Sequence, residues 1–307
     1  MLARFFKKSD PLGFISLLVL LAIYIGIQMF MKVLVVNNIT SFAILVGLFV
    51  FFSSFIIFLD FIIKKNNLTP LNYYAIFIFV LLIGLFPSVL SFSKVSYSYF
   101  FILLAARRIY SIQTKKQLLL KLFDSGFYVG IAFLLFPSSG LFLFLILVSY
   151  SIYIHVIGKD VLLPIIGFFT PIFIAFTYFF ITDNVYVFRS ITELNISFDY
   201  RVFSDRFLYV PLLAISIFCF FGLIKLFSNR HELGVQWKNS NKLVLFHLLI
   251  GIVISLTSSI DVDKTILFIF LPVSILIGNL VFLIQKYWIK QIILFTLLAL
   301  TFALPFI

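Results

Sequence analysis

Cysteine occurs once, at Cys219 inside an apolar run, so this chain can build neither a disulfide framework nor a thiolate metal site. Charge is almost as scarce: Asp, Glu, Lys and Arg supply 11% of 307 residues. With 63% hydrophobic residues and a mean hydropathy of +1.22, too little polar material remains to coat a water-exposed globule. No polar stretch is long enough for a separate soluble domain. The apolar runs are continuous rather than alternating with period two, which excludes a transmembrane β-barrel. No Asp, Glu, Lys or Arg lies near the middle of any run, which takes weight from proton- or sodium-coupled transport. Asp60 comes nearest, and Lys64 four residues later makes it half of a helical pair close to one end. The histidines are His155, His231 and His247, too few for a membrane oxygenase. His155 and His247 read as interfacial hydrogen-bonding groups, and no metal or cofactor is expected. Internal repeats are also missing, so an inverted-repeat transporter lacks support.

What is there is apolar length. About eleven runs, near 13–31, 41–63, 72–92, 95–106, 122–136, 141–157, 161–181, 208–227, 243–258, 265–284 and 289–307, are candidate spans. The expected fold is all-α, one polytopic transmembrane helical bundle over residues 1–307. The fourth and fifth runs are short. If they form one hairpin dipping into the membrane, the count falls to nine. The seventh run contains Pro164, Gly167 and Pro171 and is expected to be bent or broken. Arg4, Lys7 and Lys8 precede the first run, which shows no small-residue cleavage site and reads as a retained span.

The charges sort by side on this map. With the N-terminus cytoplasmic, 17 of the 23 Lys and Arg fall inside and 6 outside, while the 11 acidic residues split 5 to 6. The net charge of +12 therefore sits wholly on the inner face, as the positive-inside bias requires. The lysines flank apolar runs rather than forming one patch, so nucleic acid is not an expected partner. Anionic lipid headgroups are.

Two regions could carry function. The only long outer loop, residues 182–207, interleaves carboxylates, arginines and aromatics. Residues 196–203 nearly alternate, as a strand would, whereas Phe188, Ile191, Leu194 and Phe198 suit an amphipathic helix on the membrane. Guanidinium groups bind phosphate bidentately and carboxylates can act as bases. Asp199, Arg201 and Asp205, with Asp261 and Asp263 from the next outer loop, are therefore the catalytic candidates. On the inner face Arg107, Arg108, Lys115, Lys116 and Lys121 form the most basic loop, a surface for anionic lipid or a partner subunit.

Several short motifs carry a resemblance. They are Phe5 to Ser9 with Pro11, Leu104 to Ser111, Phe123-Asp124 with Gly126-Phe127 and Gly130-Ile131-Ala132, and Gly167 to Pro171. Together they resemble an uncharacterised flavobacterial (Bacteroidota) family of polytopic inner-membrane proteins of unknown function. The resemblance implies a bacterial inner membrane and brings no catalytic residue with it. The preferred expectation is a non-catalytic subunit or scaffold of a cell-envelope complex, working with other inner-membrane subunits. The alternatives are a multispan enzyme of glycosyltransferase or polymerase type, acting on lipid-linked saccharide at the periplasmic face, and a transporter or flippase. Against the enzyme, the first outer loop, residues 32–40, has no acidic residue.

Overall fold

A continuous apolar run in hydrocarbon must satisfy every backbone N–H and C=O internally, and the helix does so within one segment. The computed structural model follows that rule. It describes residues 2–30, 39–154, 158–194, 196, 206–228, 235–258 and 261–304, and among these no strand forms beyond a lone bridge between Ile196 and Ser258. In chain order the helices are α1 (Leu2–Phe5), α2 (Pro11–Phe30), α3 (Ile39–Asn66), α4 (Tyr74–Leu85), α5 (Lys94–Tyr110), α6 (Leu118–Leu135) and α7 (Phe142–Tyr153). Then come α8 (Leu163–Ile181), α9 (Val185–Thr192), α10 (Arg206–Ser228), α11 (Val235–Thr257), α12 (Val262–Thr265), α13 (Leu267–Leu283) and α14 (Tyr287–Ala303).

Each of the eleven apolar runs holds a helix, and among the described residues 7 helices are long and apolar enough to cross a membrane. These are α2, α3, α6, α8, α10, α11 and α13, some extended by a few flanking residues. The helices α4, α7 and α14 are apolar but shorter. Two expectations change. Of the bend or break expected in the seventh run, the break is absent: α8 runs unbroken through Pro171. Helices α5 and α6 extend beyond the apolar runs that announced them, because Lys94 and Arg107–Tyr110 are helical in one and Leu118–Lys121 in the other.

The chain comprises two compact units, residues 1–91, 200–234 and 270–307 in the first, and residues 92–199 and 235–269 in the second. In lipid, apolar burial brings no transfer gain, so close backbone approach and hydrogen bonds decide which helices pack. The first unit shows both. All of α4 is buried. Gly278 of α13 lies so close to Ala75 that a Cβ there would stand 2.8 Å from the Ala75 Cα. Tyr74 donates to the Ala3 carbonyl at 2.6 Å, and Tyr24 of α2 donates to Thr301 of α14 at 2.9 Å. Helix α3 ends at Asn66, and the left-handed φ of 50° at Asn67 lets Leu68 N–H reach Ile63 O and Asn67 N–H reach Lys64 O. That pair of bonds is a Schellman cap, and asparagine is one of the few residues to adopt its geometry cheaply. The Leu68 carbonyl beyond it accepts from Asn279 Nδ2 at 3.2 Å, which explains the mid-helix asparagine of α13.

In the second unit α6 packs between α5 and α8. Ser98 of α5 donates to the Ala132 carbonyl of α6 at 3.1 Å. Toward α8, a Cβ on Gly126 would collide with the Pro164 backbone, and one on Gly130 with that of Phe168. From the other side, Gly167 meets the Phe123 backbone in the same way. Gly126 and Gly130, spaced as GxxxG, thus seat α8 directly on the α6 backbone. Only Pro164, Gly167, Phe168 and Pro171 of α8 are buried, all on that seam.

Candidate functional site

Helix ends converge at one end of the second unit. Helix α5 starts there because Ser93 accepts a hydrogen bond from Ser96 N–H, an N-cap that puts Lys94 in the first turn. Helix α6 stops there because Pro137 forces Phe136 into extended backbone, with φ −149° and ψ 101°. At the end of α8, Asp183 at φ 54° makes a second Schellman cap, with Asn184 N–H on Phe179 O and Asp183 N–H on Phe180 O. The chain turns back into α9, held by Phe188 against Phe176 and Phe179 with ring centres 5.3 and 6.4 Å apart. After α11, Asp261 at φ 52° accepts backbone bonds from Lys264 and Thr265 and begins α12.

Between these ends lies a pocket of about 130 Å³. Lys94, Ser138, Ser190, Glu193, Ser258 and Asp261 supply its polar lining, and Val95, Leu134, Leu135 and Ile191 much of its apolar wall. All four chain segments involved were assigned to the outer face from the charge map. Asp261 is ion-paired with Lys264 at 2.8 Å. Lys94 and Glu193, by contrast, have no ion-pair partner among the described residues. Among the described residues the pocket therefore offers one open cation and one open carboxylate over an apolar wall.

Of the catalytic candidates, Asp261 lines this pocket; Asp263 sits two residues on, in α12, and is not among its lining residues. Asp199, Arg201 and Asp205 lie outside the described residues. Of the strand expected over residues 196–203, Ile196 bridges to Ser258 and the rest lies outside the described residues. Of the four residues of the amphipathic-helix expectation, α9 (Val185–Thr192) holds Phe188 and Ile191, Leu194 follows its end, and Phe198 lies outside the described residues.

The basic inner loop divides. Lys115 and Lys116 are exposed, beside Leu119 and Leu120, which are also exposed. Arg107 is half-buried, and Arg108 pairs with Asp124 of α6 at 2.7 Å. Lys121 is buried, and its Nζ donates to the Ser111 carbonyl at 2.6 Å and to Thr114 Oγ1 at 2.7 Å. It closes the turn after α5, where the last carbonyls of a helix want a cation, so it is not a surface group.

His247 is likewise not a surface group. It is fully buried in the second unit, with Nδ1 3.3 Å from the Tyr110 hydroxyl and its ring 5.1 Å from that of Phe142. Its Nε2 has no hydrogen-bond partner among the described residues. Nearby in the same unit, Tyr153 and Ser240 hydroxyls stand 3.4 Å apart. His155 and His231 lie outside the described residues. Lys94 escaped the sequence reading because a lone lysine at a span end looks like a topology signal. Its place in the first turn after Ser93, opposite the acidic outer loops, was the usable clue.

Residues 1–306 match a family of unknown function, DUF6427. No curated protein and no solved structure matches the chain.

Proposed function

We propose that this chain, which belongs to DUF6427, is a multi-pass protein of a Bacteroidota inner membrane. In this reading it has about eleven spans and a cytoplasmic N-terminus, and serves as a non-catalytic subunit or scaffold of a cell-envelope complex. The observation that carries the reading is how the chain uses its polar groups. Asp60 with Lys64 at 2.8 Å, Arg108 with Asp124, Lys121 with Ser111 and Thr114, and Asp261 with Lys264 are spent on holding helix ends. Helix seams made through Gly126, Gly130 and Gly167 add rigidity where a transporter would need sliding surfaces. Lys115 and Lys116 remain free of that framework for anionic lipid on the inner face.

Gentle extraction at native expression, followed by affinity purification and mass spectrometry, tests the proposal. The expected result is recovery with stoichiometric membrane partners; a monodisperse lone chain contradicts it. The pocket favours a second reading, an enzyme acting on lipid-linked saccharide at the periplasmic face, with Glu193 and Asp261 as its carboxylates. That reading requires Glu193→Gln or Asp261→Asn to abolish function in cells at unchanged membrane abundance. Full complementation by both variants removes it.

A further inference from the structure

The pocket at the convergence of α5, α6, α9 and α12 carries an inference that does not depend on the subunit reading. Its lining holds Lys94 on one element and Glu193 on another, neither ion-paired among the described residues, with Asp261 already neutralised by Lys264. A simple anion would meet the Glu193 carboxylate there, and a simple cation would meet the lysine. A ligand bearing both charges meets neither problem. The positive pole falls to Glu193. The negative pole falls to Lys94 in the first turn of a 17-residue helix, whose dipole adds to the lysine's field. A phosphate suits that end, because Ser138 lines the same pocket with a hydroxyl donor. A primary ammonium suits the other, because a carboxylate accepts its N–H bonds, whereas a quaternary ammonium calls for an aromatic cage and, among the described residues, Phe136 is the one aromatic in the lining.

We propose that this pocket binds a phosphate–ammonium zwitterion, the headgroup chemistry shared by ethanolamine phospholipids and free phosphoethanolamine, with Lys94 on the phosphate and Glu193 on the ammonium. The volume of about 130 Å³ holds on the order of ten waters, the scale of one headgroup. The wall of Val95, Leu134, Leu135 and Ile191 gives the glycerol end of a lipid an apolar rest.

Native mass spectrometry of the full chain in detergent, titrated with short-chain phosphatidylethanolamine, phosphatidylglycerol and phosphatidylcholine of equal chain length, and separately with phosphoethanolamine, tests it. Retention of the ethanolamine lipid above both other lipids, or saturable binding of phosphoethanolamine, is expected. Competition by free phosphoethanolamine identifies a soluble source; retention of the lipid without it identifies the membrane. Lys94→Gln and Glu193→Gln, on different elements and both at exposed positions, should each weaken binding about tenfold. Equal retention of all three lipids with no binding of phosphoethanolamine overturns the proposal. So does binding that both variants leave unchanged.

Discussion

A single methyl group is the finest probe of the account at the residue scale. A Cβ at Gly130 would occupy the Phe168 backbone, which cannot move without shifting α8. Gly130→Val should therefore cost at least about 1–3 kcal/mol by overpacking, seen as a lower thermal midpoint in detergent and lower membrane abundance. Gly26, with nothing within 4 Å of a built Cβ, is the control. Gly26→Ala should leave both readouts unchanged or slightly improved, since alanine is the better helix former. The lysines of the inner loop separate in the same manner. Lys121→Met removes the charged donor shared by the Ser111 carbonyl and the Thr114 hydroxyl, leaving them only their bond to each other at 3.0 Å, and should cost about 1–3 kcal/mol. Lys116→Ala, at an exposed position, should stay within about 0.5 kcal/mol. Equal effects of the two substitutions would show that Lys121 is not the closing group of that turn.

Whole elements were legible in the sequence where apolar length is the whole cause. Every apolar run contains a helix, since hydrocarbon leaves the backbone no other local solution. Boundaries were less legible, for a definite reason. Equating polar residues with loop placed the start of the ninth span at 243, yet α11 begins at Val235 and buries Ser240 near Tyr153. In the same way Arg107–Tyr110 reads as loop but continues α5, where Arg108 finds Asp124 on α6. The small residues of α6 and α8 were visible as a motif, but that they touch backbone to backbone depends on which helices become neighbours. Helix α9 illustrates the other limit: its apolar face was visible, and its anchor was not. Phe188→Ala removes the contacts with Phe176 and Phe179 that hold it against α8. Limited trypsin digestion should then cut at Arg189 several-fold faster, at unchanged global melting. An unchanged rate would mean that the Schellman turn at Asp183 alone holds α9 in place.

For the whole molecule, the charge asymmetry and the structure of the second unit meet at one claim. The segments assigned outside from Lys and Arg counts are those whose ends form the pocket, while Lys115 and Lys116 belong to a loop assigned inside. Site-directed cysteine labelling tests this directly, and the single native thiol, Cys219, is buried and should stay silent. Ser138→Cys, Glu193→Cys and Lys116→Cys would each be exposed to a membrane-impermeant maleimide in intact spheroplasts and again after lysis. The account expects Ser138→Cys and Glu193→Cys to label in intact spheroplasts and Lys116→Cys only after lysis. Labelling of Lys116→Cys from outside, or protection of both pocket positions until lysis, would contradict it.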